Sequence, residues 1–399
     1  MNYPTVTLKP GRDVPIRAGH PWVFSEAIKH DAKGDTGMLV KVQSAQGESL
    51  GIGTWNGNTS IRVRLLARDA EEMIDADFFS KRFKKLNDWK KAALPSKTDG
   101  YRVVHAEADG LPGLIVDRFA DVFVFQLHTA GMELLREEIV AALKKTFKPM
   151  AIVERSDLDV RKIEGLRDQP SGIIFGEVEH VVGFQEAGIK FVADVLHGQK
   201  TGFFLDQREA RLTVGKQAKG RSVLNLFGYT GAFSVHAALG GADFVNTVDV
   251  SRAALELAQK NFALNGLDPE DEEKYQFVEA DVFDLLDDPK LQEDGYDLII
   301  CDPPALAKSE KHLPQAIRAY TELNTKCLAA LEPGGILVTS SCSGRVTPED
   351  FRSLLRIAAG RAGKDVRVLD WISQPVDHAE RLAFPEGRYL KTAILVIQP

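Results

Sequence analysis

The chain has 399 residues, which is too long for one ordinary hydrophobic core, so two or three domains are expected. A hydrophobic content of 44%, a charged content of 27% and a net charge of -7 are typical of a soluble globular protein that is not a polycation. Any nucleic-acid binding must therefore come from a local basic patch. The sequence shows neither an apolar run long enough for a membrane span nor a secretory signal, and its three cysteines lack metal-ligand spacing. We therefore expect a cytoplasmic protein without a membrane contact or a metal site.

Residues 1–72 have the pattern of a small β domain. Short alternating apolar runs are separated by turns rich in Gly, Asn and Asp, and they cover 5–8, 37–42, 49–52 and 61–65. Basic residues locally exceed acidic ones, as at Lys9, Arg12 and Arg17. The segment fits a β-barrel whose charges are merely solvated, or a small RNA-binding barrel, and the pattern by itself favours the first interpretation.

Residues 73–190 predict a small α+β domain. A helix is expected over 71–93, with basic residues that most simply form a solvated face. Strand-like patterns follow at 101–105, 113–117, 122–126, 150–154 and 183–191, with a helical pattern at 132–147. The sequence of this segment contains no catalytic constellation, so we expect a spacer or one wall of a cleft.

Beyond residue 191 strands and helices alternate, which predicts an α/β domain with a mostly parallel sheet and helices on both faces. Polar residues follow the predicted strands in turn: Asn225 to Gly231, then Asp249, Asp281, Asp302 and Cys342. The carboxyl ends of parallel strands meet at one edge of a sheet, where ligands of open α/β sheets bind. This edge is therefore the predicted site. The last two strands have a long connection, and we expect one of them to be antiparallel.

The segment 222–249 has the pattern of a βαβ unit with a glycine turn after its first strand and an acid, Asp249, ending its second. Gly228 and Gly231 are two glycines where a pyrophosphate-binding loop shows three, in the pattern G-x-G-x-x-G. A nucleoside without a pyrophosphate fits better, and S-adenosylmethionine is such a ligand. Asp249 would then accept both ribose hydroxyls. A plain tight turn is the alternative explanation of the glycines alone.

Asp302 and Cys342 are the candidate catalytic residues. Asp302 follows the apolar strand pattern at 298–301, and two prolines stiffen the chain directly after it. Cys342 follows another apolar run and lies between two serines, where an accessible thiolate would be a nucleophile. The other two cysteines, at positions 301 and 327, are expected to pack in the core.

A thiol and a carboxylate together suit methylation of a pyrimidine carbon. Carbon 5 of a pyrimidine is a poor nucleophile until a thiolate adds to carbon 6, and an acid near ring nitrogen 3 would stabilise the charge that develops. Methylation of a nitrogen needs no thiol. Cys342 therefore separates the two classes of target.

The same residues resemble those of known enzymes. The C-terminal half is similar to class I S-adenosylmethionine-dependent methyltransferases, which have a Rossmann-like fold. The whole chain resembles the RlmI-like family of large-subunit ribosomal RNA cytosine-5 methyltransferases. The resembling segments are 9–12, 20–24, 106–113, 116–119, 202–208, 225–231, 302–304, 341–344 and 385–391. The resemblance implies a PUA-like β-barrel (1–72), a small α+β central domain (73–190) and a methyltransferase domain (191–399).

The resemblance also implies which residues bind and react. It implies Cys342 as the nucleophile, next to Asp302 as the second predicted catalytic residue. The implied contacts of S-adenosylmethionine are Asp206, Gln207, Arg208, Asn225, Phe227, Gly228, Tyr229, Thr230, Gly231, Asp249, Asp281, Val282 and Asp302. Related enzymes often carry a second cysteine directly after the proline of the Asp-Pro motif. Here Ala305 follows Pro304, so another base must release the product.

One main hypothesis and three alternatives follow. The main hypothesis is an S-adenosylmethionine-dependent enzyme that methylates carbon 5 of a cytosine in 23S ribosomal RNA. Its partner is naked RNA or an assembling large subunit, and the resemblance suggests a homodimer. The first alternative is methylation of a guanine nitrogen or of carbon 5 of a uridine. The others are a nicotinamide-dependent oxidoreductase, which the missing third glycine disfavours, and a non-catalytic RNA-binding assembly factor.

Overall fold

The computed structural model describes residues 3–157, 159–167, 172–288, 291, 295–307 and 310–399. The chain divides into two compact units. Unit 1 consists of Met1–Gly188, Ala193–Leu205 and Val376–Gly387, and unit 2 consists of Ile189–Val192, Asp206–Pro375 and Arg388–Pro399. No helix in the described part of the chain combines the length and the hydropathy that a membrane crossing requires.

Within its described residues, unit 1 contains twelve strands and five α-helices. The strands are β1 (Thr5–Leu8), β2 (Trp22–Phe24), β3 (Ile28–His30), β4 (Leu39–Gln43), β5 (Ser49–Trp55), β6 (Ile61–Ala67), β7 (Gly100–His105), β8 (Leu114–Phe119), β9 (Val122–Leu127), β10 (Ala151–Glu154), β11 (Gly172–Gly176) and β12 (Val181–Glu186). The helices are α1 (Val14–Arg17), α2 (Ala76–Ala93), α3 (Ala130–Leu134), α4 (Arg136–Phe147) and α5 (Val160–Ile163). Strand β13 (Ile189–Asp194) carries the chain across the boundary between the units.

Two sheets organise unit 1. The first six strands form a mixed sheet in the order β2-β6-β5-β4-β1-β3, and their inward apolar side chains share a core with Ile16 of α1. The next five form a sheet in the order β11-β10-β9-β8-β7. Helix α2 shares a core with this second sheet through Phe78, Phe79 and Phe83, which lie on one face because of their helical spacing.

Within its described residues, unit 2 contains seven strands and six α-helices. The strands are β14 (Ser222–Leu226), β15 (Phe244–Asp249), β16 (Tyr275–Glu279), β17 (Leu298–Cys301), β18 (Ile336–Ser341), β19 (Val366–Ile372) and β20 (Lys391–Ile397). The helices are α6 (Arg208–Gln217), α7 (Ala232–Leu239), α8 (Arg252–Leu264), α9 (Val282–Leu285), α10 (Leu313–Ala329) and α11 (Pro348–Ala362).

The strands of unit 2 form one sheet in the order β16-β15-β14-β17-β18-β20-β19. Neighbours from β16 to β18 are parallel, and β20 is antiparallel to both of its neighbours. All four side chains of β17 are buried, as expected of a central strand whose two faces are both covered. The predicted α/β fold class is confirmed, including the antiparallel strand near the end of the chain.

Some local features were not predicted from the sequence. Strands β2 and β3 have three residues each, which is too short to show a periodic pattern. The helix predicted over 132–147 is two helices, because Leu135 between them has φ -95° and ψ 14°. The predicted division into three domains stays a prediction, and the first two segments lie in unit 1 as far as Gly188.

Helix α11 begins with a capping box, and this predicts a measurable stability effect. The Asp350 amide donates to Thr347 Oγ1 at 3.0 Å, and the Thr347 amide donates to Asp350 Oδ2 at 3.1 Å. We expect Thr347→Ala to lower the free energy of unfolding by about 1 kcal/mol, because a helix-end amide loses its acceptor. Urea denaturation measures this, and Thr347→Ser, which keeps the hydroxyl, is the matched control. Equal losses in both variants would contradict the capping role.

Candidate active site

The predicted site residues leave the sheet of unit 2 from neighbouring strands at one edge. Strand β14 is bonded in parallel to β15 and to β17, and β17 is bonded in parallel to β18. Because these strands end together, Phe227, Asp249, Asp302 and Cys342 all lie at the same carboxyl edge. The structure therefore brings these sequence-predicted residues to one edge, while their roles in binding and catalysis stay predictions.

The glycine loop after β14 has an unusual backbone. Phe227, Tyr229 and Gly231 have φ values of 57°, 47° and 70°, so every second residue is in the left-handed region. Gly228 is closely packed, since a Cβ at this position would stand 2.6 Å from Thr247 Cγ2. The loop is therefore a tight turn with no room for a side chain at Gly228.

Asp249 holds this loop from the next strand. The Tyr229 amide donates to Asp249 Oδ2 at 2.8 Å, and the Ser251 amide donates to Asp249 Oδ1 at 2.9 Å. Each carboxylate oxygen has a second lone pair, so both retain acceptor capacity for a ligand. Asp249 thus shapes the loop, and its predicted contact with ribose hydroxyls stays a prediction.

A buried polar network lies behind the loop. Asn225 Nδ2 donates to Ser234 Oγ at 2.8 Å, and Thr247 Oγ1 donates to the same oxygen at 2.7 Å. Asn225 Oδ1 is buried and has no hydrogen-bond partner among the described residues. Because buried polar atoms normally have partners, this oxygen is a candidate acceptor for a ligand donor.

Thr230 and the start of α9 complete this side of the edge. Thr230 is buried, and its carbonyl oxygen accepts from Asn261 Nδ2 at 2.8 Å. Asp281 caps α9 by accepting from the Phe283 amide at 2.8 Å, and Val282 is buried. The rings of Phe227 and Phe283 lie 6.2 Å apart, edge to face, and form an apolar surface next to the loop.

The segment that opens α6 contacts the predicted catalytic carboxylate. Gln207 Nε2 donates to Asp302 Oδ1 at 2.9 Å, while Gln207 Oε1 is buried without a partner among the described residues. The Tyr389 hydroxyl donates to Asp206 Oδ2 at 2.8 Å, and Arg208 is fully buried. The family resemblance implied that these three residues contact the cofactor, which stays a prediction, and the structure shows Gln207 bonded to Asp302.

These residues fit a nucleoside-containing cofactor. The loop at Gly228 brings backbone close to the sheet edge, and Asp249 offers paired acceptors at the next strand end. The buried side-chain amide oxygens of Asn225 and Gln207 have no hydrogen-bond donor in the described part of the chain, so each can accept from a ligand. The ring of Phe227 supplies an apolar wall.

Cys342 lies in the loop after β18 and is partly exposed. Its neighbour in space is Lys391, whose Nζ donates to the carbonyl oxygens of Ser343, Val346 and Tyr389 at 2.6, 2.7 and 2.7 Å. Burial lowers the pKa of Lys391 to about 8, although a thiolate at Cys342 acts to raise it. A buried ammonium group therefore pins the loop that carries the candidate nucleophile.

Tyr320 of α10 lies near both candidate catalytic groups. Burial raises the pKa of its hydroxyl, and the negative charges of Cys342 and Asp302 raise it further. Thus one buried hydroxyl responds to both the thiol and the carboxylate. Neither Tyr320 nor Lys391 was predicted as a functional residue. A signal existed for Lys391, because it is a charged residue at the start of the apolar run 391–397.

The remaining cysteines and the loop after Asp302 offer no second thiol at the site. Cys301 and Cys327 are both buried in the core of unit 2, and contact with Cys327 together with burial raises the pKa of Cys301. Ala305 is exposed, and Lys308, the nearest basic residue, lies outside the described residues. In the described part of the chain, no group of His, Cys, Asp and Glu side chains could hold a metal ion.

Comparisons with known families and sequences agree with this geometry. Residues 160–378 match the model of the S-adenosylmethionine-dependent methyltransferase family, and residues 6–68 match a PUA-like domain. A relative from Aeromonas hydrophila, ribosomal RNA large subunit methyltransferase I, is 41% identical over 98% of both chains. A protein of the same name from Shewanella amazonensis is 42% identical over 97% of both chains.

Solved structures show the same fold. A chain described as a methyltransferase complexed with SAH has a TM-score of 0.83 and 25% identity, over 99% of this chain and 100% of that one. An S-adenosylmethionine-dependent methyltransferase structure from Streptococcus mutans has a TM-score of 0.82 and 24% identity, over 98% of this chain and 100% of that one.

The packing of the glycine loop predicts a binding defect. We expect Gly228→Ala to raise the dissociation constant for S-adenosylmethionine about tenfold or more, because the new Cβ meets Thr247 and displaces the loop. Isothermal titration calorimetry measures this constant. Gly360→Ala, in open space on α11, is the matched control and should bind normally. Unchanged affinity in Gly228→Ala would rule out close cofactor approach at this loop.

Proposed function

The chain belongs to the S-adenosylmethionine-dependent methyltransferase family, together with ribosomal RNA large subunit methyltransferase I proteins, and from this premise we propose its reaction. The proposal is methylation of carbon 5 of a cytosine in 23S ribosomal RNA, through a covalent bond to Cys342. S-adenosylmethionine is the cofactor of this chain, as the sequence predicted. The observation that carries the proposal is the partly exposed thiol of Cys342 at the same sheet edge as Asp302.

The residues around the glycine loop would hold the cofactor. Asp249 would accept the ribose hydroxyls, and the buried amide oxygens of Asn225 and Gln207 would accept from its polar groups. Asp281 and Val282, which follow β16, would bound the adenine. The bound cofactor supplies an electrophilic methyl group on a sulfonium.

Cys342 would activate the base by covalent catalysis. Its thiolate sulfur forms a bond to carbon 6 of the cytosine, and the ring electrons then make carbon 5 nucleophilic toward the methyl group. After methylation, a base removes the proton from carbon 5, the electron pair reforms the ring double bond, and the carbon–sulfur bond breaks. The thiolate is regenerated, and the sulfonium sulfur that loses the methyl group would keep the electron pair of the broken bond as a neutral thioether.

Asp302 would stabilise the ring while the thiolate is attached. Charge develops toward ring nitrogen 3 during the attack, and a carboxyl group beside that nitrogen can hold or share a proton there. Gln207 would orient Asp302 through the hydrogen bond that its Nε2 donates to Oδ1. The fixed Pro303-Pro304 backbone adds stiffness directly after the carboxylate.

Lys391 would position and charge the nucleophile loop. Its three hydrogen bonds to carbonyl oxygens fix the chain around Cys342. Below its pKa of about 8 the group is cationic, and a nearby cation favours the thiolate over the thiol. Lys391 is thus a positioning residue rather than a group that touches the substrate.

The other candidate functions differ in what they require of Cys342. Methylation of a guanine nitrogen needs no thiol, so the partly exposed Cys342 argues against it. Methylation of a uridine uses the same thiol chemistry, and the mass of the modified nucleoside separates it from a cytosine. A non-catalytic assembly factor would need neither Cys342 nor Asp302. We further propose a cytoplasmic homodimer, which sedimentation velocity and cell fractionation test.

The covalent mechanism predicts a specific loss of activity. We expect Cys342→Ala to abolish methyl transfer, measured as 5-methylcytidine by mass spectrometry of digested ribosomal RNA, and to keep the affinity for S-adenosylmethionine. The reason is that carbon 5 stays unactivated without sulfur addition at carbon 6. A substrate carrying 5-fluorocytidine should trap wild-type protein covalently, because no proton can leave carbon 5.

The matched control for that variant is Cys327→Ala, at a buried thiol of α10. It removes one sulfur from the same unit and should leave both methyl transfer and trapping in place. Full activity in Cys342→Ala would overturn the covalent mechanism and favour a nitrogen target.

The charge of Lys391 predicts a change in the pH profile. We expect Lys391→Met to shift the midpoint of Cys342 alkylation by iodoacetamide upward by about one pH unit, because the thiolate loses a neighbouring cation. Wild type should be alkylated faster than Lys391→Met below pH 8, where Lys391 is charged, and this difference in rate should disappear above pH 8. Lys391→Arg keeps the charge, so its alkylation midpoint should stay close to that of wild type. A profile that is identical in all three proteins would leave Lys391 with a packing role alone.

A further inference from the structure

We propose that an arginine groove in unit 1, formed by Arg68, Arg82 and Arg381, binds phosphates of the RNA substrate. The nature of the partner rests on the proposed function, while the groove itself is seen directly. The three arginines come from separate parts of the chain: the residue after β6, the middle of α2 and the segment 376–387. Only the folded unit brings them together.

The guanidinium groups of Arg82 and Arg381 lie at the turn that contains Gly110. Arg82 Nη1 and Arg381 Nη1 stand 3.3 and 3.9 Å from the point where a Cβ on Gly110 would lie. The two groups are therefore no farther apart than the sum of those distances. Arg381 Nη2 also stands 4.0 Å from the corresponding point on Gly19, and Arg68 lines the same cavity.

These like charges act on one another and lack carboxylate partners. Partial burial lowers the pKa of Arg68, and the charge of Arg381 lowers it further. Burial likewise lowers the pKa of Arg82, with Glu72 opposing and Arg381 adding to the shift. Among the described residues, none of the three arginines forms an ion pair; Arg82 stacks on Phe78 at 4.3 Å. An anion in the groove would relieve this repulsion.

Two lysines on α2 contrast with these arginines. Lys84 pairs with Asp88 and Lys90 pairs with Asp109, at 2.6 and 2.5 Å. Asp109 and Glu380 also line the larger cavity, but neither forms an ion pair with the three arginines among the described residues. Arginine also suits phosphate, because its planar fork bonds two phosphate oxygens at once.

The shape of the groove favours a polynucleotide over a free anion. Two adjoining cavities, of about 120 and 390 Å³, share Arg82, Gly110 and Arg381. The larger one is walled by Trp89, which is 48% exposed. An exposed indole beside cations is the arrangement on which an unstacked base rests while the backbone phosphates meet arginine. We therefore assign the groove to single-stranded RNA, with successive phosphates along the arginines.

Fluorescence anisotropy with a labelled single-stranded ribosomal RNA fragment, over a range of KCl concentrations, tests this assignment. We expect Arg68→Gln, Arg82→Gln and Arg381→Gln together to weaken binding at least tenfold. The slope of log affinity against log salt should become shallower by about 2, since each lost phosphate contact removes about 0.7. Trp89→Leu should weaken binding but keep the wild-type slope, because stacking involves no counterion.

The matched control is Lys85→Gln, which removes one exposed cation from α2 outside the groove. It should keep the wild-type affinity and slope, and all variants should bind S-adenosylmethionine normally if they are folded. A triple variant that behaves like Lys85→Gln overturns the proposal. The proposal is also overturned if inorganic phosphate stabilises wild type while the triple variant keeps the RNA affinity of wild type. The groove would then be a site for a free anion.

The test separates this inference from the proposed reaction, because RNA binding is measured without methyl transfer. If wild type binds RNA through the arginines but forms no 5-methylcytidine, the proposed cytosine methylation is wrong and the RNA-binding groove stands. If wild type forms 5-methylcytidine and the triple variant binds RNA normally, the groove proposal is wrong and the proposed reaction stands. With active protein, the triple variant should raise KM for RNA and leave kcat at saturating RNA unchanged.

Discussion

The parallel pairing of β14 with β15 and β17 is the constraint on which the candidate active site depends. Strands that run in the same direction and in register end together, so groups far apart in sequence emerge at one edge. The bond from the Tyr229 amide to Asp249 then ties the glycine loop to the neighbouring strand. The loop, the acid and the strand ends are therefore one structure, and a change in any of them would be felt by the others.

The candidate site contains buried polar groups, whose removal from water costs free energy. A buried ammonium or amide is tolerated when hydrogen bonds replace its water. Lys391 meets this condition with three carbonyl acceptors, and its burial still lowers its pKa to about 8. Asn225 and Gln207 meet it in part, through their amide nitrogens. These incompletely bonded amides lie next to the proposed cofactor, which is where missing partners are expected in a binding site.

Unit 1 shows the contrast between structural and functional charge. Two of its buried ion pairs are Arg102 with Asp117 and Arg64 with Glu164, at 2.8 and 2.7 Å. Removing one partner from such a pair would leave an uncompensated charge in the core. The arginine groove brings three cations together without ion-pair partners among the described residues, and solvent and counterions make their repulsion tolerable. A protein with a net charge of -7 can in this way attract a polyanion at one place.

The sequence by itself determined the fold class and the edge at which the site lies. Apolar runs define buried strands, parallel strands share an edge, and the residues that follow them, such as Asp249 and Cys342, must gather there. The tertiary structure decided what supports those residues. Lys391 lies beside Cys342 through an antiparallel strand pair, and Arg381 joins Arg82 across about three quarters of the chain. Periodicity fixes which face a residue takes within its own element, whereas the meeting of distant side chains depends on how the elements pack.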